Sequence, residues 1–210
     1  MSRKKILLVG FLIIVGLAAL GLLLRHPSQK VSVSLGQQVS IKIYKKTGHE
    51  PYDYNRKSLP VASLNQNSVL NLKKGDYVVV VDNPANYSSG YYSLTAAQDL
   101  VTLSINPSYS KEKLGRLFET EGLSIHQTIN ALYPNLNDYY SVLSERLYVH
   151  GDWYGEVLKP NSPDIDVARL VFKKESGQWK LAVNKPELVI SQIIYPDIPI
   201  EVLSDINNIR

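Results

Sequence analysis

The chain has no cysteine. That excludes disulfides, cysteine-ligated zinc and thiol catalysis together. It also has only 3 phenylalanines, 2 tryptophans and 1 methionine, so its aromatic surface rests almost wholly on 14 tyrosines. Several catalytic signatures are missing too. There is no G-x-S-x-G, no G-x-x-x-x-G-K-[ST] and no H-E-x-x-H, which removes the common nucleophile elbows, phosphate loops and helical zinc sites from consideration. No internal repeat and no low-complexity tract interrupts the 210 residues.

Acidic residues are absent ahead of the first hydrophobic run, whereas Arg3, Lys4 and Lys5 stand there. The remaining 207 residues carry 20 Lys+Arg against 19 Asp+Glu. The pI near 9.0 therefore reflects the N-terminus more than a basic surface, and no nucleic-acid face is indicated.

What is present begins with Ile6 to Leu24, 19 residues without a charge or a proline. At 1.5 Å per residue they make about 28 Å of helix, close to the hydrocarbon thickness of a bilayer. A cleaved signal peptide would end in small residues at an A-x-A-like site. This run instead leaves through Leu22, Leu23, Leu24, Arg25, His26 and Pro27, and reads as an uncleaved single-pass anchor. Gly10, Gly16 and Gly21 lie within it without forming a G-x-x-x-G pair; if the helix itself makes contacts, they are its closest-approach points. The basic start and the long tail place the N-terminus in the cytoplasm and the rest outside the plasma membrane.

Residues 1–5 thus form a cytoplasmic N-terminus, 6–24 a transmembrane helix and 25–30 a linker. Residues 31–106 form a first domain and 110–210 a second, so the fold class is one transmembrane helix followed by a mainly β ectodomain. In the first block Val31, Val33 and Leu35 alternate with serines, as do Val39, Ile41 and Ile43 with Ser40 and Lys42. Period two marks half-buried strands. Leu70 to Leu72, Tyr77 to Val81 and Leu100 to Ile105 continue the series, with Lys73-Lys74-Gly75-Asp76 as a turn. Four to six short strands predict a small antiparallel β-sandwich.

Asn106, Pro107 and Ser108 separate the blocks. Lys111 to Thr120 sets Leu114, Leu117 and Phe118 at helical spacing. Ser124 with Gln127 reads as a capping box opening a second helix that Pro134 stops. The period then returns to two. Strands are expected over Tyr140 to Tyr148, Trp153 to Lys159, Ala168 to Phe172 and Trp179 to Val183. Val149 to Asp152 and Glu175 to Gln178 are the turns, and a short helix spans Ile200 to Ile206. Helices beside an antiparallel meander predict an α+β domain.

Leu72-Lys73-Lys74-Gly75-Asp76-Tyr77-Val78-Val79-Val80 and the tyrosine-rich stretch Tyr87 to Tyr92 resemble a PEGA-type module, a small surface β-domain found beside membrane anchors. The Pro-Glu-Gly-Ala stretch that names that family is missing here. Trp153-Tyr154-Gly155-Glu156-Val157-Leu158, Arg169 to Lys174 and Gly177-Gln178-Trp179-Lys180-Leu181 resemble the NTF2-like or cystatin-like arrangement of helices on a curved sheet. Many members of that superfamily are not enzymes, and a fold alone does not set a function.

Two sets of candidate site residues follow. Tyr52, Tyr54, Tyr87, Tyr91 and Tyr92 fall in expected loops, where a ring with a polar tip can bind protein or sugar. His126, His150, Asp152 and Asp166 are the groups that an NTF2-like pocket in residues 111–191 would need for acid–base work or ligand binding. His26 and His49 complete the histidines, and no pair has metal-ligand spacing, so no metal and no cofactor is expected. Asn86-Tyr87-Ser88 is a glycosylation sequon with meaning only in a eukaryotic secretory route. The function expected is non-enzymatic binding or scaffolding in the cell envelope. The partners expected are the membrane, through one span, and an envelope protein or cell-wall polymer, with no nucleic acid. The alternative is an enzyme or small-ligand binder built on that pocket.

Overall fold

The structure, a computed structural model, describes residues 28–209 apart from 84, 98 and 99. The run Ile6 to Leu24 lies outside the described residues. Among the described residues no helix is long and apolar enough to cross a membrane. The described residues are mainly β, with eleven strands in three sheets and a few helices. They divide into two compact units, residues 28–80 with 91–106, and residues 81–90 with 107–209.

The first unit holds seven strands: β1 (Ser28–Leu35), β2 (Ile41–Lys45), β3 (Ala62–Leu64), β4 (Ser68–Lys73), β5 (Gly75–Val81), β6 (Tyr91–Ala96) and β7 (Leu100–Ile105). One sheet has the order β4-β1-β7, and β1 runs parallel to β7 from Lys30↔Leu100 to Leu35↔Ile105. The other has the order β3-β2-β5-β6. Alternation works as the period predicts: Val31 and Val33 on β1, and Ile41 and Ile43 on β2, are buried. Burying each such β-branched side chain contributes roughly 1.5–3 kcal/mol. Three expectations are corrected. The first unit is not wholly antiparallel, because β1 and β7 run side by side in the same direction. Residues 28–30 are not linker but the start of β1, because Gln29 turns inward with Val31 and Val33. Tyr91 and Tyr92 are not in a loop but open β6, where Tyr-Tyr-Ser-Leu-Thr-Ala pairs with β5 from Val80↔Tyr91 to Gly75↔Ala96.

The second unit is a four-stranded meander, β8 (Tyr140–Tyr148), β9 (Trp153–Pro160), β10 (Ala168–Glu175) and β11 (Gln178–Leu181), in the order β11-β10-β9-β8. Helix α1 (Lys111–Leu132) packs on one face, α2 (Leu136–Tyr139) is a single turn before β8, and α3 (Ile200–Asn208) closes the chain. Covering on both faces explains why the first six residues of β9 are all buried. On the α1 side Ile125, Ile129, Tyr154, Leu170, Phe172 and Trp179 share a core. On the other side Trp153, Val157, Val171, Val202, Leu203 and Ile206 form a second.

Residues 111–132 form one helix of 22 residues, not two. Its N-cap is Ser110, whose Oγ accepts from the backbone N of Lys113 at 3.2 Å. Ser124 sits mid-helix. Gly122 leaves room inside this helix for a neighbouring ring: a Cβ there would stand 3.3 Å from the Phe118 ring. Gly155 on β9 has the same cause, since a Cβ would come within 2.9 Å of Ile206.

Candidate functional site

Three of the five expected tyrosines come together in the first unit. Tyr44, which sequence reasoning missed, opens the series. Its ring lies 4.7 Å from that of Tyr54, Tyr54 lies 6.3 Å from Tyr91, and Tyr91 lies 5.8 Å from Tyr52, all tilted. The cause is local. Ile41 and Ile43 turn inward, so Tyr44 turns outward. The stretch after it makes a long hairpin-like loop, with a Lys46↔Tyr54 bridge and Thr47 N donating to Asp53 O at 3.0 Å. This loop lies over the outer face of its sheet. Ser93 Oγ donates to Pro51 O at 3.3 Å, and Val78, which pairs with Ser93, is fully buried. The ladder therefore roofs the sheet and still presents rings to solvent, with Tyr52 50% and Tyr91 38% exposed. Burial, then Tyr91, raises the Tyr54 phenol above its ordinary value, so it remains a hydrogen-bond donor at physiological pH.

Two expected members lie elsewhere. Tyr92 pairs with the buried Val79 and points to the opposite face from Tyr91. Tyr87 belongs to the second unit and is only 2% exposed. Its ring meets Tyr109 edge-on at 5.5 Å, and the Lys113 ammonium lies over Tyr109 at 3.3 Å. Burial keeps it off the open surface on which Tyr52 and Tyr91 lie, and it lines the groove of the second unit.

In the second unit a groove of about 610 Å³ runs beside β8, lined among others by Tyr109, Leu114, Phe118, Glu145, Arg146 and Tyr148. None of His126, His150, Asp152 and Asp166 lines it. His150 sits in the β8–β9 turn, with Nε2 3.1 Å from Pro107 O and its backbone N donating to Asp152 Oδ1 at 3.4 Å. Both thus hold the hairpin. Asp166 is exposed in the loop before β10. His126 instead reaches β8, its Nε2 2.6 Å from Glu145 Oε2. Among the described residues no group of three or more His, Asp or Glu side chains could hold a metal ion.

The His126 contact leads to a polar cluster that sequence reasoning missed. Glu145 on β8 stands directly opposite Glu156 on β9. The Tyr154 hydroxyl donates to Glu145 Oε2 at 2.9 Å. Glu156 is 2% exposed, and its Oε2 is buried without a hydrogen-bond partner among the described residues. Burial, then the facing Glu145 charge, pushes its carboxyl up to about 7. Burial and the same two carboxylates hold the Tyr154 phenol well above its ordinary value. Glu156 is enclosed, whereas its neighbour Glu145 also lines the groove.

No protein-family model, no curated protein and no solved structure matches this chain.

Proposed function

We propose that the chain is a membrane-anchored extracytoplasmic binding or scaffolding protein of the cell envelope, without enzymatic activity. In this reading Ile6 to Leu24 is the anchor, the first unit is a PEGA-like β-sandwich and the second an NTF2-like or cystatin-like α+β domain. One observation carries the binding role: four tyrosines gathered on one outer sheet face, with Tyr52 and Tyr91 open to solvent. Tyrosine supplies contact area at small entropic cost and keeps a polar tip, which suits a surface that must stay soluble until its partner arrives. The partner is an envelope protein or a cell-wall polymer.

The test is a crosslinking pull-down of the full-length chain from its own membrane. A Tyr52→Ser/Tyr91→Ser variant is expected to lose at least about tenfold in captured partner, in line with the loss of about two hot-spot residues. An unchanged circular-dichroism melt verifies folding, and Tyr52→Ser alone, in a loop, serves as the milder variant. Equal capture by wild type and both variants would overturn the proposal.

A further inference from the structure

Charge is divided between the two units. In residues 28–80 and 91–106, Lys and Arg outnumber Asp and Glu by 8 to 4. In residues 81–90 and 107–210 the balance reverses, 11 to 15. The small net charge of the chain hides this segregation. Four of the basic residues of the first unit flank the tyrosine ladder, against Glu50 and Asp53 in the loop between them. Lys45 ends the strand that carries Tyr44 and Lys46 follows it, and Arg56 and Lys57 stand two and three residues after Tyr54. The Asn55 side chain accepts from Lys57 N at 3.0 Å, and Ser58 N donates to Asn55 O at 3.0 Å, so this basic pair stands on a defined turn. Among the described residues no carboxylate forms an ion pair with Lys45, Arg56 or Lys57.

The rings themselves narrow the partner. A sugar ring stacks best on a flat aromatic platform, but the rings here tilt against one another by 34° to 47° and form none. Phenol hydroxyls donate, and guanidinium and ammonium groups donate and carry positive charge. All of them complement carboxylates. We propose that the ladder, with Lys46, Arg56 and Lys57, is the docking face for an acidic peptide segment of a partner protein. This deepens the binding role proposed above and rests on it. Carboxylates of the segment accept from Tyr52 and Tyr91 and pair with Arg56 and Lys57.

The probe is a fluorescein-labelled 12-residue peptide of alternating Glu and Gly, titrated by anisotropy against the full-length chain in neutral detergent. Binding is expected at 50 mM salt and is expected to weaken about tenfold at 300 mM, as screening shortens the reach of exposed charges. Arg56→Gln/Lys57→Gln and Tyr52→Ser/Tyr91→Ser are each expected to weaken it at least fivefold. A matched Lys–Gly peptide should not bind. Four results would overturn the inference: equal binding of both peptides, no effect of Arg56→Gln/Lys57→Gln, preferential binding of soluble polyphosphate, or salt-sensitive self-association through the same residues, which would make the partner a second copy. The membrane pull-down separates the two readings. Capture that depends on Tyr52 and Tyr91 but not on Arg56 and Lys57 removes the acidic partner and leaves the binding role standing.

Discussion

Replacing Arg169 with alanine is expected to destabilise the second unit by about 3–5 kcal/mol, the largest single effect foreseen in this protein. Arg169 lies in β10 with its side chain buried. Its Nε donates to Ile206 O at 2.7 Å, one Nη donates to Ile209 O at 2.7 Å and the other to Leu188 O. Ile206 and Ile209 lie at the end of α3, whose last carbonyls have no partner within the helix. The strand also pairs outward there, Arg169 N donating to Glu187 O at 2.8 Å. One guanidinium thus joins the sheet, the long connection before α3 and the C-terminus of α3. Alanine would leave three carbonyls unsatisfied in the core beside Val202, Leu203 and Ile206. Lysine keeps the charge but not the planar fork, so Arg169→Lys should fall between. Both tryptophans, Trp153 and Trp179, belong to the second unit. Urea unfolding followed by tryptophan fluorescence therefore reads this unit alone. A loss below about 1 kcal/mol, the scale of one ordinary hydrogen bond, would contradict the account.

The second large effect concerns Glu156 and pH. In the unfolded chain its carboxyl loses its proton near the ordinary glutamate value, about 4.3. In the folded protein burial and Glu145 push it up to about 7. The folded state then binds more protons than the unfolded state between these values. The stability tied to this proton is present below about pH 4 and is lost as pH rises through about 7. The full difference corresponds to roughly 3.5 kcal/mol. His126 from α1, Glu145 from β8 and Tyr154 from β9 are the titratable groups around it. Glu156→Gln removes the titration and supplies an amide that can donate to Glu145. At pH 8.5 the variant is expected to be more stable than wild type by about 2–3 kcal/mol, and at pH 5 the two should agree within about 1 kcal/mol. Tryptophan fluorescence in urea at the two pH values measures both. A pH-independent difference between the proteins would refute the assignment.

Much of the fold is legible in the sequence because alternation is a local signal. Val31 and Val33, Ile41 and Ile43, and the hairpin from Tyr148 through Val149 to Trp153 lie where the pattern places them. The misreadings occur where a distant contact decides. Ser124 with Gln127 reads as the start of a second helix, yet the helix capped by Ser110 runs straight through it. Tyr91 and Tyr92 read as loop after Ser88-Ser89-Gly90, yet β5 supplies a pairing edge. Tyr87 reads as exposed, but Tyr109, 22 residues on, gives it a partner. The same limit governs the candidate sites. Tyr52 and Tyr54 are visible as loop aromatics, whereas Tyr44 required the outward face of β2 to be recognised. The Glu145–Glu156 pair depends on register across β8 and β9, including a shift between Val142 and Ser144. A slip of one residue would turn either carboxylate to the other face.

The central claim, that the tyrosine ladder is the contact surface, is tested most directly by placing a photocrosslinking benzophenone amino acid at Tyr52 in the full-length chain in its own membrane. Tyr139, 56% exposed in the second unit, serves as the control position. The account predicts one discrete adduct from position 52, suppressed by Tyr91→Ser and absent from position 139. No adduct at 52, or the same adduct from both positions, would contradict it.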